Sequence, residues 1–537
     1  MNIKIAVGFA LGIGAFVFAV LNPLPGLSLA GSIALGIFLL AAIFWILEPI
    51  PIYATSMLVI LLQVMLLSSQ GFVFSVRSAP TVMVKETTGE FDYLVPSSVI
   101  SSEGLVYQKD ADNAIIPLVV ERLNIANAEW VTIRSEELDV ALPLIADANH
   151  RAITDQAYSY SKFYATLASP IIMLFLGGFA LAASAVKFGL DKNLTRVLLK
   201  PFGSKPSSVC LGLMVCTGTL SAFMSNTATT AMMMTVALPI VGSLSPKDPF
   251  RKGVALAIPV AANIGGIATP IGTPPNAVAL AALRDSGISL SFSSWMIMAT
   301  PFAAILLFIS WRLILSLFKP QTDRFEIAIQ GNFQTSPKAI IAYLVFAGTI
   351  LMWLTEALHG ISTSMVAFIP VALLPAFGVL DKKDIRGFSW EVLWLVAGGI
   401  SLGLSMKDTG LASWLIGQIS WQSFGGVGVV IAFALVGYVL SNLISNTVTA
   451  TIITPLAITV GATLSVSGDF NLVSGIVAIT VIVSCSMVLA ISTPPNAIAM
   501  SCGIIETKDL ARTGLLVGGI GIALAIVMHL IYWPVLV

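Results

Sequence analysis

Two polar stretches, Ser221-Ala-Phe-Met-Ser-Asn-Thr227 and Thr273-Pro-Pro-Asn-Ala277, interrupt an otherwise apolar part of this 537-residue chain. Related stretches follow 220 residues later, as Ser441-Asn-Leu-Ile-Ser-Asn-Thr447 and Thr493-Pro-Pro-Asn-Ala497. Proline removes an amide donor and clashes with the preceding turn, so each Thr-Pro-Pro breaks a helix. Paired, interrupted apolar segments at matching places in two halves are typical of the substrate site of a secondary transporter.

Composition predicts an all-α polytopic membrane protein, because 57% of the residues are hydrophobic and only 10% are charged. The formal net charge of zero gives no reason to expect a nucleic-acid partner. The N-terminal apolar run lacks a convincing cleavage site, so we interpret it as a retained first helix. The cysteines have no metal-ligand spacing and are interpreted as buried, unreactive residues without a zinc site or disulfide: Cys210, Cys216, Cys485 and Cys502.

The two copies also match upstream of the polar motifs. Gly177-Gly178 pairs with Gly398-Gly399 at an offset of 221, whereas Trp45 pairs with Trp353 at an offset of 308. The first copy therefore carries an insertion of 87 residues, placed at 76–162. It holds 13 acidic and seven basic residues and contains β-rich runs. We interpret it as a small structural domain outside the cytoplasm, and the glycine pairs as close helix contacts.

Apolar runs predict spans near residues 5–24, 28–48, 52–70, 168–188, 338–358, 362–380 and 391–407, with broken or re-entrant segments between and after them. A cytoplasmic N-terminus places 18 of the 27 basic residues inside. This distribution fits about eleven transmembrane helices plus two re-entrant hairpins, with the C-terminus and the insertion outside. The two copies then enter the membrane in opposite directions, as an inverted repeat. The insertion lacks an Asn-x-Ser/Thr acceptor, which favours a bacterial inner membrane.

The motifs supply hydroxyls, amide oxygens and freed backbone groups at membrane depth. Such oxygens suit a small cation such as sodium, whereas hydroxyls, side-chain NH₂ groups and helix amide ends can hold a carboxylate. No Lys, Arg or His lies within either cluster. An anion there needs bound cations to offset its charge, so anion and cation binding become mutually dependent. No covalent cofactor is expected.

These motifs, with Trp45–Pro51 and Phe175–Phe179, resemble those of the divalent anion/sodium symporters, which carry dicarboxylates, citrate or sulfate. The resemblance covers almost the whole chain except the insertion. It implies a homodimer in which scaffold helices flank a transport domain that moves as an elevator. The implied segments are scaffold helices 1–3 (1–75), the extracytoplasmic insertion (76–162), scaffold helix 4 with an interfacial segment (163–206), a linker with scaffold helices 7–9 (319–424), and the two halves of the transport domain (207–318 and 425–537).

The resemblance also implies which residues form the site. The substrate carboxylates would contact Asn226, Thr227, Thr273, Asn446, Thr447, Thr493 and Pro494. One sodium ion would lie near Ser221, Ser225, Asn226 and Gly272, and a second near Ser441, Ile444, Asn446 and Ser492, partly through main-chain carbonyls.

Other functions fit less well. An intramembrane hydrolase needs a catalytic arrangement that the three histidines do not form: His150, His359 and His529. A receptor would carry its chemistry in the outside domain, whereas here the duplicated chemistry lies in the membrane. We therefore expect a sodium-coupled importer of C4-dicarboxylates such as succinate. The alternatives are a sodium-independent dicarboxylate exchanger and a citrate or sulfate symporter of the same family.

Overall fold

The structure, a computed structural model, describes residues 3–22, 24–68, 71–73, 159–322, 333–418, 421–466 and 470–536, and the backbone of six strands between 81 and 143. The helices of the N-terminal part are α1 Ile3–Leu21, α2 Leu29–Leu47, α3 Ile52–Leu66, α4 Tyr160–Ala165, α5 Pro170–Lys187, α6 Leu190–Leu199, α7 Pro206–Phe223, α8 Asn226–Ser243, α9 Phe250–Ile267, α10 Pro274–Asp285, α11 Phe292–Leu317 and α12 Pro337–Leu354. Those that follow are α13 Glu356–His359, α14 Thr363–Val366, α15 Phe368–Ala376, α16 Lys382–Arg386, α17 Trp390–Asp408, α18 Leu411–Gly417, α19 Gly425–Leu443, α20 Asn446–Val466, α21 Leu472–Ser484, α22 Pro494–Ser501, α23 Thr507–Ile531 and α24 Trp533–Leu536.

Membrane-length apolar helices dominate this part of the chain. Among the residues that the structure describes, seven helices are long and apolar enough to cross a membrane: Leu29–Leu47, Tyr160–Lys187, Pro206–Phe223, Phe292–Leu317, Pro337–Leu354, Gly425–Leu443 and Thr507–Ile531. Five more apolar helices are shorter, with 10–17 residues. Every predicted span coincides with one helix or with consecutive helices. The protein is therefore an integral membrane protein whose candidate spans are all α-helices.

The insertion forms strands, as its β-rich runs predict. The strands are β1 Thr81–Lys85, β2 Asp92–Pro96, β3 Val106–Lys109, β4 Ile115–Arg122, β5 Trp130–Arg134 and β6 Asp139–Pro143. β1 pairs antiparallel with β2, and β3 to β6 form a four-stranded antiparallel sheet in chain order. Sequential antiparallel pairing needs only short connections, which suits a compact inserted unit. Its placement outside the cytoplasm stays a prediction.

The chain forms two compact units, of which the first comprises Met1–Leu167 and Ser401–Ile419. Gln63 of α3 is fully buried there, and its amide donates to the Ser401 carbonyl at 2.9 Å and to Ser405 Oγ at 2.8 Å. Ser401 Oγ donates back to Gln63 Oε1, so both ends of this amide have partners. Lys162, where the predicted insertion ends, lies in α4 and pairs with Asp408.

The second unit comprises Ala168–Ile400 and Ser420–Val537 and contains all four polar motifs. In its first half α7 and α8 pack on each other and on α9, and in its second half α19, α20 and α21 pack in the same way. The halves are interleaved: α10 packs on α20 and α21 of the second half, and α22 packs on α8 and α9 of the first. The repeated sequence therefore folds into repeated packing. The opposite membrane orientation of the copies stays a prediction.

Glycines allow several helices of this unit to touch along their backbones. A Cβ built on Gly265 of α9 would overlap the backbone of Gly218 of α7, so these helices meet without an intervening side chain. A Cβ on Gly177 would likewise overlap the Ala367 backbone, and one on Gly399 would lie 2.5 Å from Thr451 Cγ2. Close contact through small residues is a common device in membrane helices. The interpretation of the glycine pairs as helix contacts is confirmed for Gly177 and Gly399.

Ion pairs join the ends of helices in the second unit. Lys252 at the start of α9 lies 3.0 Å from Glu506 and 2.7 Å from Asp509, both at the start of α23. Hydrogen bonds and ion pairs with Lys508 and Lys252 lower the pKa of Glu506 to about 2. Hydrogen bonds to Asp509 and Glu506 raise the pKa of Lys252 above its ordinary value. Residues 252 and 506–509 therefore lie at the same end of this helix group.

Candidate functional site

The hairpin of the first half brings three oxygen atoms together. Ser221 Oγ lies 2.6 Å from Asn226 Oδ1 and 2.8 Å from the carbonyl oxygen of Ala262 in α9. A hydroxyl has one hydrogen, and the other two atoms only accept, so Ser221 can donate to one of them at a time. A Cβ on Gly266 would lie 2.6 Å from Asn226 Oδ1, so the amide rests against the α9 backbone. The cluster has more acceptors than hydrogens.

The second half repeats this arrangement. Ser441 Oγ lies 2.6 Å from Asn446 Oδ1 and 3.1 Å from the carbonyl oxygen of Val483 in α21. Asn446 Nδ2 donates to the Ser484 carbonyl at 3.4 Å. Ser441 is fully buried and Asn446 is 8% exposed. Both hairpins therefore build the same group of a serine hydroxyl, an asparagine amide oxygen and a carbonyl, with one hydrogen among the three oxygens.

Four helices begin at the motifs. α8 and α20 begin at Asn226 and Asn446, directly after a non-helical pair of residues, and α10 and α22 begin at the prolines after Thr273 and Thr493. The backbone is the same at the two threonines, with φ −145° and ψ 143° at Thr273 and φ −145° and ψ 144° at Thr493. Proline suits the first helical position because that amide has no intrahelical partner. Each start carries partial positive charge that favours an anion, and α8 and α20 also offer backbone amides there, whereas the paired prolines that open α10 and α22 have none.

The predicted substrate residues differ in exposure. Thr273 and Thr493 are buried, Asn226 and Thr447 are half-buried, and Thr227 is exposed. Pro494 is exposed as well. α22 packs against α8, and α10 packs against α20, so the Thr-Pro-Pro turn of each half belongs to a helix that contacts the hairpin helix of the other half. A ligand shared between hairpin and turn would therefore be held by both halves.

The asparagine after each proline pair forms hydrogen bonds to the backbone at the helix break. Asn276 Nδ2 lies 3.0 Å from the Gly266 carbonyl and 2.7 Å from the Thr269 carbonyl. Asn496 Nδ2 donates to the carbonyls of Met487 and Leu489 at 2.9 and 3.0 Å. Backbone carbonyls freed by a break must find donors away from water. These two asparagines supply the donors, which explains why they follow the prolines.

The remaining predicted sodium residues line the same turns. A Cβ on Gly272 would overlap the backbone of Gly266, so Gly272 packs on the residue against which the Asn226 amide rests. Ser225 precedes α8 without making a side-chain cap, and Ile444 directly follows the last residue of α19. At the position matching Gly272, Ser492 donates to the Asn442 carbonyl at 3.1 Å and accepts from the Leu489 amide at 3.2 Å. The Ser492 hydroxyl thus makes two hydrogen bonds and keeps one lone pair, so both this oxygen and the Ser492 carbonyl can be offered to an ion.

Sequence reasoning missed several residues of this region. Asn263 of α9 donates to Thr493 Oγ1 at 3.1 Å and to Asn496 Oδ1 at 3.2 Å, across the two halves. Thr269 donates to the Ala222 carbonyl and so joins the first turn to the hairpin. The Ala262 and Val483 carbonyls were also missed. An asparagine such as Asn263 in an apolar helix is a usable signal, because a polar side chain at membrane depth needs a partner.

The hydrogen bonds of the motif serines and asparagines involve neutral groups only. Within the described ranges, no group of three His, Cys, Asp or Glu side chains could hold a metal ion. The donors present are hydroxyls, amides and carbonyls, which are hard oxygen ligands for small cations. The geometry suits ions and small polar ligands held by neutral dipoles.

Comparison with known proteins agrees with this chemistry. Residues 113–537 match the family model described as the sodium:sulfate symporter transmembrane region. The sodium-dependent dicarboxylate transporter SdcS of Staphylococcus saprophyticus is 30% identical over 406 residues, which cover 68% of this chain and 77% of that protein. SdcS of Staphylococcus aureus USA300 is 30% identical over 411 residues, covering 68% and 76%.

Two further matches are an uncharacterized transporter of Haemophilus influenzae and a solved structure. The Haemophilus protein is 30% identical over 427 residues, which cover 74% of this chain and 88% of that protein. The Alcanivorax borkumensis YdaH transporter structure overlays with a TM-score of 0.49 at 11% identity, covering 75% and 93%, and is too distant to add to the assignment. By its family match and its relatives, this chain belongs to the sodium:sulfate symporter family of divalent anion/sodium symporters and is a membrane transporter, not an enzyme.

Proposed function

We propose that the protein imports C4-dicarboxylates such as succinate together with sodium ions. One observation carries the proposal: each hairpin holds three converging oxygens that share one hydrogen. Excess acceptors repel one another in an apolar setting, and a small cation between them removes that repulsion. The family description and the names of the SdcS relatives support the same ion and substrate class.

The substrate would lie between the two clusters. Neutral donors are available from the hydroxyls of the motif threonines and from the backbone amides at the starts of α8 and α20. A dianion held only by neutral dipoles keeps a large desolvation cost, which nearby sodium ions reduce. Substrate contacts are therefore proposed at Asn226, Thr227, Thr273, Asn446, Thr447, Thr493 and Pro494.

The sodium ions are proposed to use the hairpin oxygens. The first would lie near Ser221, Ser225, Asn226 and Gly272, and the second near Ser441, Ile444, Asn446 and Ser492. Asn226 and Asn446 belong to both sets, so each amide would contact an ion and a carboxylate. Sodium and substrate then stabilise the same side-chain positions, and each should tighten the binding of the other by the same factor.

The transport cycle is proposed to follow an elevator mechanism within a homodimer in a bacterial inner membrane. The scaffold would comprise 1–75, 163–206 and 319–424, and the moving domain 207–318 and 425–537. The N-terminus would face the cytoplasm, with the C-terminus and residues 76–162 outside. The interleaving of α10 with α20 and of α22 with α8 supports motion of both motif-bearing halves as one body, since neither can leave without the other.

Uptake of labelled succinate into proteoliposomes tests the function. We expect uptake that needs an inward sodium gradient, that unlabelled dicarboxylates compete away and that an inside-negative potential accelerates. If more sodium charge enters than substrate charge, the potential contributes roughly 2.3 kcal/mol per 100 mV for each net charge. Equal counterflow in sodium-free choline buffer would establish the exchanger. Stronger competition by citrate or sulfate than by succinate would establish the other symporters.

A further inference from the structure

Asn263 joins the two halves of the site. It lies in α9 with 3% of its surface exposed. Its amide nitrogen lies 3.1 Å from Thr493 Oγ1 and 3.2 Å from Asn496 Oδ1, so its two hydrogens can serve both. The neighbouring residue, Ala262, provides the carbonyl oxygen of the first hairpin cluster with Ser221. A short path therefore runs from that cluster through one residue of α9 to the Thr-Pro-Pro turn of the other half.

The second half lacks this link. Ser484 stands at the position equivalent to Asn263, at the same 221-residue offset that relates Ala262 to Val483. Serine is shorter than asparagine and has one donor hydrogen. Ser484 Oγ is buried without a hydrogen-bond partner, and so is Oδ1 of Asn276, which matches the Asn496 atom that Asn263 reaches. One of the two equivalent cross-links is therefore made, and both ends of the other are left unpaired.

We propose that Asn263 is a positioning residue that couples the first ion cluster to the substrate-binding turn of the other half. The proposal rests on the sodium-coupled function given above. An ion at Ser221 and Ala262 would hold this part of α9 in one position. The hydrogen bond from Asn263 would then hold Thr493 in one position as well. The Thr493 turn would then already have its binding conformation when the substrate arrives. The affinity for the substrate would therefore be higher when sodium is bound. The second cluster has no such path through Ser484, so the two ion clusters act unequally on substrate.

The test measures the concentration of succinate for half-maximal uptake at limiting and at saturating sodium. The ratio of these two values reports the coupling of sodium to substrate. Asn263→Ser places in α9 the residue that α21 carries at the matching position. It should lower the ratio about fivefold, which corresponds to the free energy of one or two net hydrogen bonds. The maximal rate at saturating ligand concentrations should stay within about twofold.

Double variants separate the two clusters. On a logarithmic scale, the effects of Ser221→Ala and Asn263→Ser on the ratio should be less than additive, because both interrupt one path. Those of Ser441→Ala and Asn263→Ser should add. Additivity in both pairs, or an unchanged ratio in Asn263→Ser, would overturn the proposal. A wild-type protein whose ratio is one would instead refute the sodium-coupled function itself, so the two failures are distinguishable.

Folding is checked independently of transport by thermal melting of the purified protein in detergent. If Asn263→Ser does not yield folded protein, Asn263→Thr supplies a side chain of similar size with one donor instead of two. The same loss of ratio is expected, and an unchanged ratio would again count against the proposal. A purely structural role would lower the melting temperature and the maximal rate but leave the ratio unchanged, and that result would also overturn the proposal.

Discussion

Ser441 Oγ lies 2.6 Å from Asn446 Oδ1, buried where α19, α20 and α21 pack together. The serine sits in the last turn of one helix and the asparagine at the first position of the next, so a two-residue break sets their distance. The equivalent pair of the first half is separated by the same 2.6 Å. Because duplicated geometry allows each variant to be compared with its counterpart, the site can be tested in pairs.

The hairpin asparagines give the first prediction. Asn226→Ala and Asn446→Ala should each lower the initial rate of succinate uptake more than about tenfold, because each loses a contact to an ion and to a carboxylate. The measurement is uptake into proteoliposomes containing equal amounts of folded protein. Asn22→Ala, at the exposed end of α1, is the control and should transport normally. Normal rate and affinity in either hairpin variant would show that the site is elsewhere.

The hairpin serines should affect sodium more than substrate. Ser221→Ala and Ser441→Ala each remove one oxygen from a cluster, so the sodium concentration for half-maximal uptake should rise about threefold to tenfold. The succinate requirement at saturating sodium should change less than twofold. Ser286→Ala removes a hydroxyl that bonds only within its own exposed turn, and it serves as the control. A larger shift for succinate than for sodium would contradict the assignment of the serines to the ions.

Gly266 provides a steric test of the first cluster. Gly266→Ala places a Cβ 2.6 Å from Asn226 Oδ1, where no side-chain atom fits, so the amide must move. We expect at least about a tenfold rise in the sodium requirement with little change in expression. Gly519→Ala, whose Cβ would meet nothing within 4 Å, is the matched control. An unaffected sodium requirement would mean that the Asn226 position is not important for the ion.

The insertion should be dispensable for recognition. Replacing residues 76–158 with a short Gly/Ser linker should leave succinate affinity within about threefold, because the second copy of the repeat has no counterpart. The structure places the end of the deletion before α4, since Lys162 pairs with Asp408. Isothermal titration of purified protein measures the affinity. Loss of binding in well-folded protein would make the inserted domain part of the binding site.

The ion pairs around Lys252 predict that their contribution to the melting temperature does not change with pH near neutrality. Because the pKa of Glu506 is lowered, its ion pairs stabilise the folded protein at any pH above the ordinary glutamate pKa. This stabilisation is lost as the pH falls towards about 2. Because the pKa of Lys252 is raised, its ion pairs stabilise the folded protein at any pH below the ordinary lysine pKa. This stabilisation is lost only at strongly alkaline pH. The difference in melting temperature between wild type and Glu506→Gln should therefore be equal at pH 6 and pH 9 and shrink in acid. A difference that changes between pH 6 and pH 9 would contradict this.

Local chemistry was predictable from the sequence wherever neighbouring residues determine it. The prolines after Thr273 and Thr493 predict the breaks, and Asn276 and Asn496, which follow the proline pairs directly, donate to the freed carbonyls. The Asn263 contact with Thr493 was not predictable, because it joins residues 230 positions apart. Main-chain oxygens such as that of Ala262 carry no sequence signal at all. The hydrogen bonding of the Ser492 hydroxyl depends on a turn whose path only the structure gives.

The backbone contact between Gly218 and Gly265 has a consequence for how the first half can move. With no side chain between them, α7 and α9 pack backbone against backbone at this point. If the first half moves as proposed, this contact would help the hairpin, the broken helix and the ion cluster between them to move together as one rigid unit. The oxygens that would hold an ion on one side of the membrane would thus arrive on the other with their spacing intact, and release would depend on water reaching the cluster instead of on its distortion.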